Sequence, residues 1–119
     1  PTLQMRLVTA GTPASATDYN RQQLSASSTT VVGLKETSQT LWIICNNINT
    51  FADNFSMDIF KPKATKETTF NIFSYSTHVG AYWQSVGGVH VLTTSYDGIQ
   101  FIPTAGNFSG IVTVYGYNQ

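Results

Sequence analysis

Charge is what this chain has least of. Of its 119 residues only 10% are Asp, Glu, Lys or Arg, six acidic and six basic, and the formal net charge is zero; an average soluble protein carries about 25%. Nucleic-acid binding needs clustered Lys or Arg to neutralise phosphates. The one basic cluster, Lys61, Lys63 and Lys66 in KPKATKE around Pro62, reads as a solvated loop, so no nucleic-acid partner is expected. Cysteine is equally scarce. Cys45 stands alone, which excludes an internal disulfide and permits, without requiring, a cytoplasmic origin. Between Ile43, Ile44 and Ile48 it reads as a small core residue, not a nucleophile. No apolar run approaches the roughly 18 residues of a membrane-spanning helix, and the opening PTLQMRLVTAG lacks the charged-then-apolar order of a signal peptide, so no membrane partner is expected. Pro1 reads as a start exposed by removal of an initiator Met. Ala, Leu, Glu and Lys are sparse and no helical pattern of useful length emerges.

What is abundant is uncharged polarity and β-forming side chains. Thr, Ser, Asn and Gln supply hydrogen bonds and cost less to desolvate than ions. A freely diffusing protein with net charge near zero is prone to self-association, so neutrality points to life inside an assembly; an ordinary secreted or cytosolic β-domain is the alternative. The length suits one domain, residues 1–119, burying about two thirds of its unfolded surface.

Strands follow from alternation and turn chemistry. Leu3, Met5 and Leu7 alternate with Gln4, Arg6 and Val8. Residues 10–20, AGTPASATDYN, are rich in Gly, Pro, Ser and Thr and read as a loop or extended arm able to reach a neighbouring subunit. Gln22–Gly33 reads as one strand or two short ones, Lys35–Ser38 as a turn, and Thr40–Cys45 as the most apolar strand. Asn46–Asn54 is loop-like. Phe55, Met57 and Ile59 share one face of the next strand; in Thr68–Ser76, Phe70, Ile72 and Ser74 oppose Asn71, Phe73 and Tyr75. Val79–Val86 and Val89–Thr94 read as a hairpin joined by Gly87-Gly88, followed by Ile99–Ile102 and a last strand, Phe108–Tyr117, pinned at the end of the chain. Eight or nine strands at such spacing predict an all-β fold, an antiparallel two-sheet β-sandwich of jelly-roll type, with an eight-stranded barrel as competitor.

No cluster of reactive groups selects an enzyme. Most of the acids, Asp18, Glu36, Asp53, Asp58, Glu67 and Asp97, fall in turns, and Asp58 reads as a solvent-facing strand residue. His78 and His90 lack the third and fourth ligands a metal would need. Neither a nucleophile elbow nor a phosphate-binding Gly-rich loop is present. No catalytic residue, metal or cofactor is therefore expected. Aromatic rings are better candidates: Trp42, Tyr82, Trp83, Tyr96 and Tyr117 could contact a partner surface or stack on a glycan. Tyr82 and Trp83, adjacent in a strand, must point to opposite faces, and Tyr117 is the ring best placed to touch something outside the domain.

The closing residues, with Ile99, Phe101, Gly106, Asn107, Phe108, Ser109, Gly110, Tyr115 and Gly116 in GIQFIPTAGNFSGIVTVYGYNQ, resemble the endings of small jelly-roll virion proteins of tailed bacteriophages. That resemblance covers about a fifth of the chain. Asp18–Gly33 also looks like the segment before the first long strands of such domains, while Val114 stands where the family often has Leu, and no fibrous shaft precedes the domain. The resemblance implies a structural virion component, best matched to a capsid decoration (cement) protein. Such a protein sits as a homotrimer on the major capsid protein at the capsid surface, after assembly in the host cytoplasm. A receptor-binding or tail-tip head domain recognising a host glycan is the other role it implies.

Overall fold

The computed structural model describes residues 1–46, 53–77 and 81–116, and within them every regular element is a strand. These are β1 (Leu3–Thr9), β2 (Thr12–Pro13), β3 (Tyr19–Ser27), β4 (Thr30–Gln39), β5 (Trp42–Cys45), β6 (Asp53–Phe60), β7 (Thr68–Ser76), β8 (Tyr82–His90) and β9 (Gly98–Pro103). All pairings are antiparallel. In the first sheet β1 is central: β9 runs along one side, and β5 and then β2 share the other, since Leu3 faces both Cys45 and Pro103 while Val8 faces both Pro13 and Gly98. The second sheet has the order β4-β3-β8-β7-β6. Early strands pair with late ones in both sheets, β1 with β9 and β3 with β8, and the outer strands β4 and β6 leave the second sheet open. The fold is the expected antiparallel two-sheet sandwich, not a closed barrel.

Period-two burial builds the core. Along β7 the pattern alternates without a break, with Thr68, Phe70, Ile72, Ser74 and Ser76 inward and Phe73 and Tyr75 outward. Leu3, Met5 and Leu7 from β1, Trp42, Ile44 and Cys45 from β5, and Phe70, Ile72 and Val86 from the opposing sheet meet in one cluster with Tyr19 and Tyr96. Trp42 is its centre, 4.2 Å from the Phe70 ring and 5.0 Å edge-on to Tyr19. The Tyr19 hydroxyl accepts from the Leu7 N–H at 3.1 Å and donates to the Ala14 carbonyl at 2.8 Å, so burial of this polar ring leaves no bond unmade.

Four sequence expectations are corrected here. Gly87-Gly88 is not a turn: β8 runs straight through it, because the Phe70 ring packs where a Gly88 side chain would project. Lys35–Ser38 is not a turn but part of β4, and the register shift opposite Tyr19 and Arg21, with Ser38 at φ +56°, absorbs the turn-like residues as a bulge. Residues 10–20 are no free arm: Ala10 and Gly11, both at positive φ, turn β1 into β2, and the Ala14 N–H donates to the Leu7 carbonyl. Finally, the expected last strand Phe108–Tyr117 is not seen over its described part: residues 108–116 form no strand pairing among the described residues and are exposed. The central part of the Asn46–Asn54 loop, with His78, Val79 and Tyr117, lies outside the described residues.

Candidate functional site

The predicted aromatic residues divide by depth. Trp42 and Tyr96 are core side chains, 0% and 2% exposed, and their expected role in touching a partner or glycan is corrected: strand alternation and a loop folded back over the core turn both rings inward. Tyr82 is half-buried, and its hydroxyl accepts from Gln23 Nε2 at 3.0 Å. Trp83, on the opposite face as adjacency requires, is 38% exposed.

Around Trp83 the register assembles an apolar surface on the outer face of the five-stranded sheet. Trp83 lies between Ala26 on β3 and Tyr75 on β7, and Ala26 faces Val31 on β4. One pleat along, Ser85 lies between Leu24 and Phe73. Leu24, Val31, Phe73, Tyr75 and Trp83 are all exposed. Together they present about 500 Å² of side chain to solvent, near the top of the roughly 300–600 Å² found for the largest patch on a monomer. The next row is polar, with Gln22, Gly87 and Asn71 side by side. Side chains are absent at Gly33 and Gly87, and an open trough of about 580 Å³ runs there, bordered by Gln22, Leu24, Lys35 and Ser85.

Sequence reasoning named Trp83 but missed Phe73, Tyr75, Leu24 and Val31. For Phe73 and Tyr75 the available signal was their alternation with Phe70 and Ile72: two apolar faces on one strand mean that one of them is left for a partner or solvent.

Inside the sandwich one set of polar groups is mutually committed, while the two Asp53 carboxylate oxygens, Thr68 Oγ1 and His90 Nε2 are buried without a hydrogen-bond partner among the described residues. The Arg21 guanidinium, 3% exposed, donates through Nε to Glu36 Oε2 at 2.5 Å and through Nη1 to Gln23 Oε1 at 2.8 Å and the Ile43 carbonyl at 3.2 Å. Asn46 Nδ2 donates to Gln84 Oε1 and Gln84 Nε2 to the Ile44 carbonyl, each at 2.9 Å. The Glu36 carboxylate is held by Arg21, an arrangement suited to fixing strands. His90 is fully buried, its Nδ1 3.1 Å from the Tyr96 hydroxyl. Burial holds its pKa below the ordinary value and pushes Tyr19 up to about 12, so both are neutral near pH 7. Burial likewise raises the Cys45 thiol, which sits in the core with no thiolate character. Among the described residues no three His, Cys, Asp or Glu side chains converge as metal ligands, and no helix is long and apolar enough to cross a membrane.

No protein-family model matches the chain, and comparisons with curated proteins and with solved structures return no match. Fold and surface define a charge-poor β-sandwich with an apolar, solvent-facing sheet.

Proposed function

We propose that the chain is a structural component of a bacteriophage virion, a capsid decoration protein that binds the major capsid protein as a homotrimer and stabilises the head, and that it is not an enzyme. The observation that carries this reading is the outer sheet face. Leu24, Val31, Phe73, Tyr75 and Trp83 form a contiguous apolar patch on a protein with almost no charge to oppose burial, the composition of a standing interface core. The resemblance of the closing residues to phage jelly-roll proteins supplies the kind of particle. Under this reading the protein is assembled in the host cytoplasm and ends on the capsid surface.

Purified protein added to undecorated heads should bind in proportion to shell subunits. A folded Phe73→Ala/Trp83→Ala double variant should bind about tenfold more weakly or worse, as loss of two central aromatic anchors does. Unchanged binding by that variant would overturn the reading.

A second reading, a receptor-binding or tail-tip domain for host glycan, is favoured by the trough beside the aromatic patch. Gln22, Lys35 and Ser85 offer hydrogen-bonding groups one pleat from rings able to stack on sugar. Specific glycan-array binding that disappears with Trp83→Ala would favour it over decoration.

A further inference from the structure

The backbone after β9 is tied down only briefly. The Thr104 N–H donates to the Thr2 carbonyl at 3.0 Å and the Thr2 N–H to Thr104 Oγ1 at 2.8 Å; from residue 105 to 116 no strand forms. Yet this is the segment whose sequence is most strand-like. Ile111, Val112, Val114 and Tyr115 are β-branched or aromatic, apolar on both faces of the alternation, and exposed at 95%, 54%, 85% and 82%. The chain is correspondingly drawn out, with a radius of gyration of 14.4 Å and extents of 41 × 29 × 28 Å, against about 13.5 Å for a compact chain of this length.

A matching gap exists on β4. Among the described residues β4 pairs only with β3, so its outer edge carries unpaired amides and carbonyls. Its first half, Thr30–Leu34, is apolar on both faces, with Val31 outward at 63% exposure and Val32 and Leu34 inward at 53% and 41%. The inward pair stays uncovered because the opposing sheet is narrower than the five strands it faces. Below them lies a cleft of about 320 Å³, lined by Ser27, Thr30, Val32, Leu34, Asn46 and Tyr82 among others. The other edges suit a guest strand less well. Asn54, Ser56 and Asp58 make the outward face of β6 polar, and β9 is short and ends in Pro103, which has no amide to offer.

We infer that residues 110–115 of one copy pair with the Thr30–Leu34 edge of β4 in a second copy. The five residues Ile111–Tyr115 match that half-strand in length. Alternate side chains of the guest enter the inner cleft, and the others extend the outer apolar row at Val31. Both faces of the guest are apolar, and both faces of the host are apolar and open. The segment leaves from β9 in one sheet while β4 edges the other, and within a single chain the two stand unjoined. One such pairing covers the inward side chains of the guest together with Val32 and Leu34 of the host. Reciprocal exchange doubles the area covered and moves it toward the roughly 1,200–2,000 Å² of stable interfaces. The inference does not depend on the particle being a virion.

The test separates guest from host. Wild-type protein at micromolar concentration should scatter light as a multimer of the 13.0 kDa chain. Ile111→Glu/Val114→Glu, which spoils the guest, and Val32→Lys, which spoils the host, should each be monomeric with unchanged circular dichroism, since both sites are exposed. Mixed together at high concentration they should form a one-to-one complex held by a single pairing, one supplying an intact β4 and the other an intact segment, with both chains seen by native mass spectrometry. A monomeric wild type, a guest variant that keeps the wild-type mass, or a mixture that stays monomeric would each overturn the proposal.

Discussion

A Cβ placed on Gly88 would lie 2.2 Å from Cε1 of Phe70 and 2.5 Å from the Asn20 carbonyl oxygen. At Gly87 the nearest atom is the movable Asn71 side chain at 3.4 Å. Two neighbouring glycines on one strand therefore have opposite tolerances, because they face opposite sides of the sheet. Gly88→Ala should cost about 3 kcal/mol, an overpacking against ring and backbone that cannot both move, while Gly87→Ala should stay within about 1 kcal/mol of wild type. Urea unfolding of the two variants measures the contrast directly.

His90 makes the fold sensitive to mild acid. Its folded pKa lies below the ordinary value because burial disfavours the imidazolium, outweighing the opposing pull of Asp18. The unfolded chain takes up this proton near pH 6.5, so just below that pH it binds more protons than the folded state. Stability is then full above about pH 6.5 and falls as pH drops toward the folded value, levelling off beneath it. Urea midpoints between pH 7.5 and 5.5 should decline for wild type and decline less for His90→Gln, which has no proton to gain.

Glu36 holds a guanidinium that is almost fully removed from water. Glu36→Gln leaves the Arg21 charge with two neutral acceptors, Gln23 Oε1 and the Ile43 carbonyl. Because the Glu36 side chain is 29% exposed, the loss should be smaller than the 3–5 kcal/mol of a fully buried pair, about 2 kcal/mol, and it should depend only weakly on salt. Chemical denaturation at low and high ionic strength reads both features.

Residues 107–116 add no strand to the sandwich of their own chain. Ending the protein after Gly106 should leave a cooperatively folding domain within about 1 kcal/mol of the full chain when both are compared as monomers, because residues 107–116 are exposed and form no strand. The sequence alone suggests the reverse, a truncation that unfolds the protein. A broad or absent unfolding transition in the truncated chain would show that Phe108–Tyr115 packs on its own sheets.

Local alternation carried most of the fold. The faces of Thr68–Ser76 and the apolar row Phe55, Met57 and Ile59 were legible because one inward residue in two is a local rule. Gly87-Gly88 misled because the same dipeptide serves a hairpin, through positive φ, or a close approach such as that of Phe70; only the partner strand decides between them. Trp42 and Tyr96 could not be told from surface rings, since depth is set by which loop and sheet lie opposite. The closing segment was legible as a strand but not as one without a partner in its own chain, for strand propensity describes a side chain's fit to a sheet and is silent about whose sheet it is.

The proposed function is that this chain builds a particle through exposed apolar surface. Its most direct test is the copy number of the protein in purified particles of any phage whose genome carries its sequence, read by gel densitometry against the major capsid protein. The account predicts a stoichiometry comparable with that of the shell subunits. A mere handful of copies per particle, as at a tail tip, would contradict it.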